Sequence, residues 1–216
     1  MWGSFLKRGE EMQKTVYGVL SRVFSVVLIL VGIAAIFGGN FAHGYVTDQL
    51  KQENLTMPSE EGVNALTDQA SQDKLRPYID EPMTTGPQAE AFANNYIWQH
   101  MMASSGGKGY QEISGEYTEM AATLSDEEKA TNEDFQALSS LRQTLFMGDT
   151  LRGMLLNAYG WWLLGTIAIY VGIGVIVVGA VLAVVGFGPL RSKKTAGAQA
   201  ADSEAGSAKE KVEAGV

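Results

Sequence analysis

The sequence predicts an all-α membrane protein: two transmembrane helices in an antiparallel hairpin, with a small, mostly helical extracytoplasmic cap. Three observations predict it. No formally charged residue stands between Arg22 and Asp48 or between Arg152 and Arg191, and both runs exceed the ~20 apolar residues that cross a bilayer. Small residues recur at every seventh position in each run: Gly18, Ser25, Gly32 and Gly39, then Gly165, Gly172, Gly179 and Gly186. The sequence between the runs carries helical periodicity and no strand pattern of any length.

The elements follow in order. Residues 1–22 form a cytoplasmic lead, a helix running into the membrane, whose Lys7, Arg8, Lys14 and Arg22 can touch anionic headgroups. Transmembrane helix 1 covers 23–45 and closes at the outer interface on Phe41 and Tyr45. Its core is too long for a signal-peptide h-region and no convincing cleavage site follows, so it is expected to stay attached. The cap takes 46–157. Transmembrane helix 2 covers 158–188, opening on Tyr159, Trp161 and Trp162, where amphipathic rings settle, and ending before Pro189. Residues 189–216 hold almost nothing to bury and are expected to form a disordered cytoplasmic tail.

Charge sets the orientation. Basic residues precede the first run, and Arg191, Lys193 and Lys194 follow the second. Between them, residues 44–152 hold 7 Lys and Arg against 18 Asp and Glu, a net of −11. Basic flanks stay inside, which puts both termini in the cytoplasm and 46–157 outside the plasma membrane.

Within the cap, 46–87 contains Pro58, Pro77, Pro82 and Pro87 and reads as irregular chain with short helices. From Pro87, Ala89, Phe92, Ala93, Tyr96, Ile97, His100 and Met101 fall on one helical face, which Gly106-Gly107 ends. Ser125 and Glu128 have capping-box spacing, and Phe135, Leu138, Leu141 and Leu145 continue at helical intervals. A long helix is therefore expected from about Asp126 through the membrane, with a bend near Gly148 or Gly153.

The small-residue stripes are the strongest candidate surface. Lipid supplies no hydrophobic force between helices, so close backbone approach at small residues is what holds spans together. Antiparallel pairing would set Gly39 by Gly165, Gly32 by Gly172, Ser25 by Gly179 and Gly18 by Gly186, with the left-handed crossing of a seven-residue repeat. Contacts to other chains are the alternative, and Gly160, Gly174 and Gly188 form a sparser second stripe.

Catalytic groupings do not emerge. Gly106-Gly107-Lys108-Gly109 superficially resembles a phosphate loop, but Met102 replaces its leading glycine and Gly109 its Ser or Thr. His43 and His100 lack ligand partners at helical spacing, and Asp126-Glu127-Glu128 reads as an acidic first turn. The chain has no cysteine, which excludes disulfides, thiolate metal sites and a lipoprotein anchor. Asn54-Leu55-Thr56 is a glycosylation sequon. The apolar runs carry no Asp, Glu, Lys or Arg, which argues against a pump or secondary transporter; Asn40, Asn157 and Thr166 are their sparse polar residues.

Three blocks carry a resemblance: Asp48 to Leu55 (DQLKQENL), Gly106 to Glu112 (GGKGYQE) and Ser139 to Phe146 (SSLRQTLF). Together they resemble a family of small actinobacterial two-span membrane proteins, over about residues 20 to 185, with a longer insert here between the second and third blocks. Members often carry the name "aromatic ring-opening dioxygenase". Such an enzyme needs a non-haem iron held by His and carboxylate ligands, and this sequence has no such cluster. The resemblance implies a membrane protein without established chemistry.

The function expected is a non-enzymatic accessory or assembly subunit of a larger plasma-membrane complex, with Phe92, Tyr96, Trp98 and Met101 as partner contacts. The alternative is a homo-oligomeric pore or tension-responsive channel. The expected partners are the lipid bilayer and other membrane subunits. No cofactor, metal, nucleic acid or small-molecule substrate is expected.

Overall fold

A computed structural model describes residues 2–187, with side chains described for residues 12, 13 and 16–187. The tail at 189–216, Pro189 and Gly188 lie outside the described residues, as do the side chains of Lys7, Arg8 and Lys14. About 86% of the described chain is helical and none of it forms a strand, which makes the class all-α.

Two helices dominate. Helix α1 spans Trp2–Gln52 and helix α8 spans Glu133–Phe187. Both are long and apolar enough to cross a membrane. Helix α1 continues past Tyr45 because Val46–Gln52 contains no Gly or Pro, and Val46 and Leu50, one turn apart, bury the same face. It stops where Asn54 takes a left-handed φ of 49°, a conformation that Asn tolerates better than most residues.

The start of α8 corrects the sequence expectation. The Ser125–Glu128 capping box forms, but it opens only the short helix α7 (Asp126–Thr131). Asn132 then turns extended, with ψ 111°, and its Oδ1 accepts from the Phe135 N–H at 2.8 Å. An Asn that caps a new helix in this way ends the old one. Helix α8 begins at Glu133 and stays helical through Gly148 and Gly153.

Between them lie α2 (Glu60–Asn64), α3 (Gln69–Leu75) and a 3-10 turn at Arg76–Tyr78. Residues 55–58 and 80–83 clasp each other: Met57 N–H donates to Glu81 O, and Met83 N–H to Leu55 O, both at 2.9 Å. Helix α4 (Gly86–Ala91) opens on a Thr85–Gln88 capping box and leads into a π-helical turn, Phe92–Ile97, then α5 (Trp98–Ser105). Gly106 ends α5 with φ 65°, where a side chain would be strained. Helix α6 (Tyr110–Thr123) was not anticipated; Glu112 starts it by accepting the Gly109 N–H at 3.0 Å.

The chain divides into two compact units, the described parts of Met1–Ala35 with Val171–Val216, and Ile36–Tyr170. The second holds the large-residue core. Val46, Leu50, Met57, Val63, Leu75, Met83, Ala89, Ala93 and Leu155 form one cluster, and Met101, Ile113 and Leu145 form another.

Candidate functional site

Small residues mediate the contact of α1 with α8 in each unit. In the first, a Cβ built on Gly32 would stand 2.6 Å from both Gly172 O and Ile176 Cγ1. One on Gly179 would stand 2.9 Å from Ile29 Cγ1 and 3.1 Å from Ser25 O. Ser25 is 1% exposed, and its hydroxyl donates to Arg22 O at 2.8 Å. In the second unit, a Cβ on Gly39 would lie 2.5 Å from Gly165 O, and one on Gly165 2.8 Å from Gly39 O. At such distances any side chain forces the backbones apart.

Gly18 is buried, and the atoms nearest a Gly186 Cβ belong to Ser21 and Arg22, at 3.2 Å. Polar contacts join the helices at this end. Arg22 Nε donates to Gly186 O at 2.9 Å, Ser21 Oγ donates to Leu182 O at 2.8 Å, and the guanidinium carbon lies 5.1 Å over the Phe187 ring. A cation on the last carbonyls of a helix is favourable. Gly38, Gly44, Gly160 and Gly174 meet nothing within 4 Å, so the described part of the second stripe faces open space.

His43 is embedded in the Gly39–Gly165 contact. Its ring stacks on Trp162 with centroids 4.1 Å apart and 11° between planes. Nε2 lies 3.0 Å from both Trp162 O and Thr166 Oγ1, and that hydroxyl donates back to Trp162 O at 3.0 Å. The network therefore assigns the ring proton to Nε2. Gly86, at the start of α4, abuts the same indole, because a Cβ there would collide with Trp162 Cβ and Cγ.

The four partner-contact residues from the sequence do not form one open patch. Met101 is a core residue, 4% exposed, and its sulfur lies 2.6 Å from where a Gly148 Cβ would be; the glycine proposed as a bend is the socket for this methionine. Phe92 and Tyr96 stack at 5.1 Å and pack on the larger core cluster. Trp98 is covered by Arg152, whose guanidinium carbon lies 4.5 Å over its ring. The π turn shifts Phe92–Ile97 off simple 3.6-residue spacing, so one-face periodicity could not place these side chains.

Two arginines of α8 receive the short helices that precede it, and sequence reasoning singled out neither as a site. Arg152 is fully engaged: Nε donates to Ala93 O at 3.1 Å, Nη2 to Asn94 Oδ1 at 3.2 Å, and Nη1 to Asp149 Oδ1 at 3.4 Å. Arg142 is held differently. Its Nε donates to Ser114 Oγ at 3.1 Å, with its guanidinium carbon 4.7 Å over Tyr117 and 6.0 Å from the Tyr110 centroid. Among the described residues it makes no ion pair. A cavity of about 330 Å³ opens beside it, lined by Tyr110, Ser139, Gln143 and Phe146. The third sequence block supplies Ser139, Arg142, Gln143 and Phe146, and the second supplies Tyr110, so a spatial meeting of the two blocks was the signal available.

The remaining surface divides by chemistry. Phe37, Phe41 and Tyr170 are 72%, 75% and 72% exposed, an outward display of large apolar groups that water would penalise. A cavity of about 470 Å³ lies along Val46, Gln49, Glu53, Met154 and Asn157. Among the described residues, no group of three His, Cys, Asp or Glu could hold a metal. These features define a helical protein with two candidate membrane spans. No protein-family model, curated protein or solved structure matches the chain.

Proposed function

We propose that this chain is a two-span protein of the plasma membrane and a non-enzymatic accessory or assembly subunit of a larger membrane complex. Its spans pair as an antiparallel hairpin, both termini lie in the cytoplasm, and residues 46–157 form a helical cap outside. One observation carries the reading: α1 and α8 turn glycine toward each other while Phe37, Phe41 and Tyr170 stand exposed. In water that arrangement is inverted, with small residues inside and large apolar ones outside. In lipid it is what close helix packing requires.

Basic flanks and the acidic segment between them support the orientation. The likeness of three short blocks to small actinobacterial two-span proteins supports the class. Partner subunits would meet the outward apolar faces, including the open glycines Gly160 and Gly174.

Affinity purification of the tagged chain in mild detergent, followed by mass spectrometry, tests the role. Stoichiometric recovery of other membrane subunits is expected, and recovery of this chain alone would overturn it. Protease accessibility in intact cells tests the topology: cleavage is expected within 46–157 and not at a tag on either terminus.

A further inference from the structure

We propose that Arg142 and the cavity beside it form a binding site for a small organic monocarboxylate with an apolar body. The guanidinium is already positioned. Tyr117 lies under its face at 4.7 Å, Tyr110 flanks it at 6.0 Å, and Ser114 Oγ takes the Nε–H. Fixing Nε in this way leaves the edge formed by Nη1 and Nη2, the parallel pair of donors that matches a carboxylate. Among the described residues, neither nitrogen has a hydrogen-bond acceptor or an ion-pair partner.

The segment is rich in acid. Residues 44–152 carry 18 carboxylates. Two acids of α6 are committed elsewhere: Glu112 accepts the Gly109 N–H, and Glu116 pairs with Lys108 at 2.6 Å. Glu119 lines a neighbouring cleft that shares Tyr110 with this one and includes Ser114, and it is not an ion-pair partner of Arg142. Arg152, on the same helix, shows the contrasting case, with all three nitrogens occupied.

The lining selects the ligand. Ser139 and Gln143 flank Arg142 on α8 and add a hydroxyl and an amide. Phe146 is 56% exposed and lies 5.8 Å from the Tyr110 ring, forming an aromatic wall. The cleft is open to solvent on one side and its volume of about 330 Å³ suits a small ligand. One guanidinium in a segment of net charge −11 suits a single negative charge better than a phosphate dianion. A carboxylate on the Arg142 fork, with its carbon body against Phe146 and Tyr110, satisfies each of these features.

The test uses the full chain in nanodiscs of phosphatidylcholine, reading the Arg142 side-chain 15N–1H resonance, assigned by its loss in Arg142→Lys. Benzoate, acetate, inorganic phosphate and N-acetylglutamate amide are the probes. Saturable benzoate binding is expected with a Kd on the order of millimolar and an advantage of about tenfold over acetate and phosphate. Tyrosine fluorescence should follow the same benzoate curve, and Arg142→Lys should weaken that response by about tenfold, because the charge stays but the fork is lost. Phe146→Ala, which leaves the cation intact, should lower benzoate to the level of acetate. Non-saturating shifts, an unchanged fluorescence response in Arg142→Lys, or phosphate binding as tightly as benzoate would overturn the site. Tighter binding of N-acetylglutamate amide would overturn the free acid in favour of a partner's side chain.

Discussion

Helix α8 is received in two ways along its length. At Gly172 and Gly179 its backbone meets the backbone of α1, and the contact exists because side chains are missing. At Leu145 and Leu155 it buries large side chains in the two core clusters, and Arg142 and Arg152 add directed polar contacts. The first kind of contact is specified by exclusion, since any added atom separates the helices. The second is specified by filling, since any removed atom leaves a void. The two should therefore respond oppositely to changes in side-chain size.

The largest effect is expected at the filled contact. Leu145 is fully buried between α5 and α6 residues, at 0% exposed. Leu145→Ala should cost about 2–5 kcal/mol, read as a lower unfolding midpoint of the helices packed on it; a shift within error would break the comparison. At the excluded contact the sign reverses with size. Gly32→Ala should destabilise by about 1–3 kcal/mol through overpacking against Gly172 and Ile176. Gly38→Ala, which meets nothing within 4 Å, should instead gain up to ~1 kcal/mol from helix propensity. Equal midpoints for the two alanine variants in the same detergent would refute packing by exclusion.

This contrast also explains what the sequence could disclose. The long apolar runs and the seven-residue recurrence are local signals, and the apolar stretches of α1 and α8 follow from them directly, though not where those helices begin or end. So do the Gly106 stop and the Ser125 cap. Thr85-x-x-Gln88 is an equally local signal, and it opens α4. Other features depend on distant partners. Asn132 ends α7 because its side chain prefers the Phe135 N–H, a competition that periodicity does not express. The burial of Met101 required knowing that Gly148 lies opposite. The Arg142 cavity needed α6, a helix with too weak an apolar pattern to be anticipated, to carry Ser114 and Tyr117 across to α8.

The two arginines sharpen the comparison at a smaller scale. Arg152→Lys keeps a charge but loses the fork that holds Ala93 O and Asn94 Oδ1. A loss of about 1–2 kcal/mol is expected, with faster amide exchange across Phe92–Ile97. Arg142→Gln removes no contact to a carboxylate or carbonyl, and should change stability by less than ~1 kcal/mol. If Arg142→Gln destabilised the protein as much as Arg152→Lys, Arg142 would be a structural clamp rather than an open donor.

The smallest expected effects belong to pH, and they too separate the regions. The Ser125 backbone N–H and hydroxyl hold the Glu128 carboxyl below its ordinary value of 4.5, and the Ser71 hydroxyl and N–H hold Asp68 below 3.8. Both folded values are depressed, so their stabilisation is present above the ordinary values and is lost as pH falls through the lower ones. Lys108 runs the other way: its hydrogen bond and charge attraction to Glu116 raise it above 10.5. Its contribution is complete below that value and disappears as pH rises through the raised one. Amide protection, corrected for intrinsic exchange, should therefore decline in α7 and α3 below about pH 4 while the Gly32–Gly172 contact, built from backbone and aliphatic atoms, holds constant. Glu128→Gln should remove the acid dependence in α7 and leave that in α3, because the two caps share no residue. Protection in α7 that stayed flat through acid would mean that the Ser125–Glu128 box does not hold this helix, and that Gln136, whose amide donates to Lys129 O at 2.7 Å, ties it down from the α8 side.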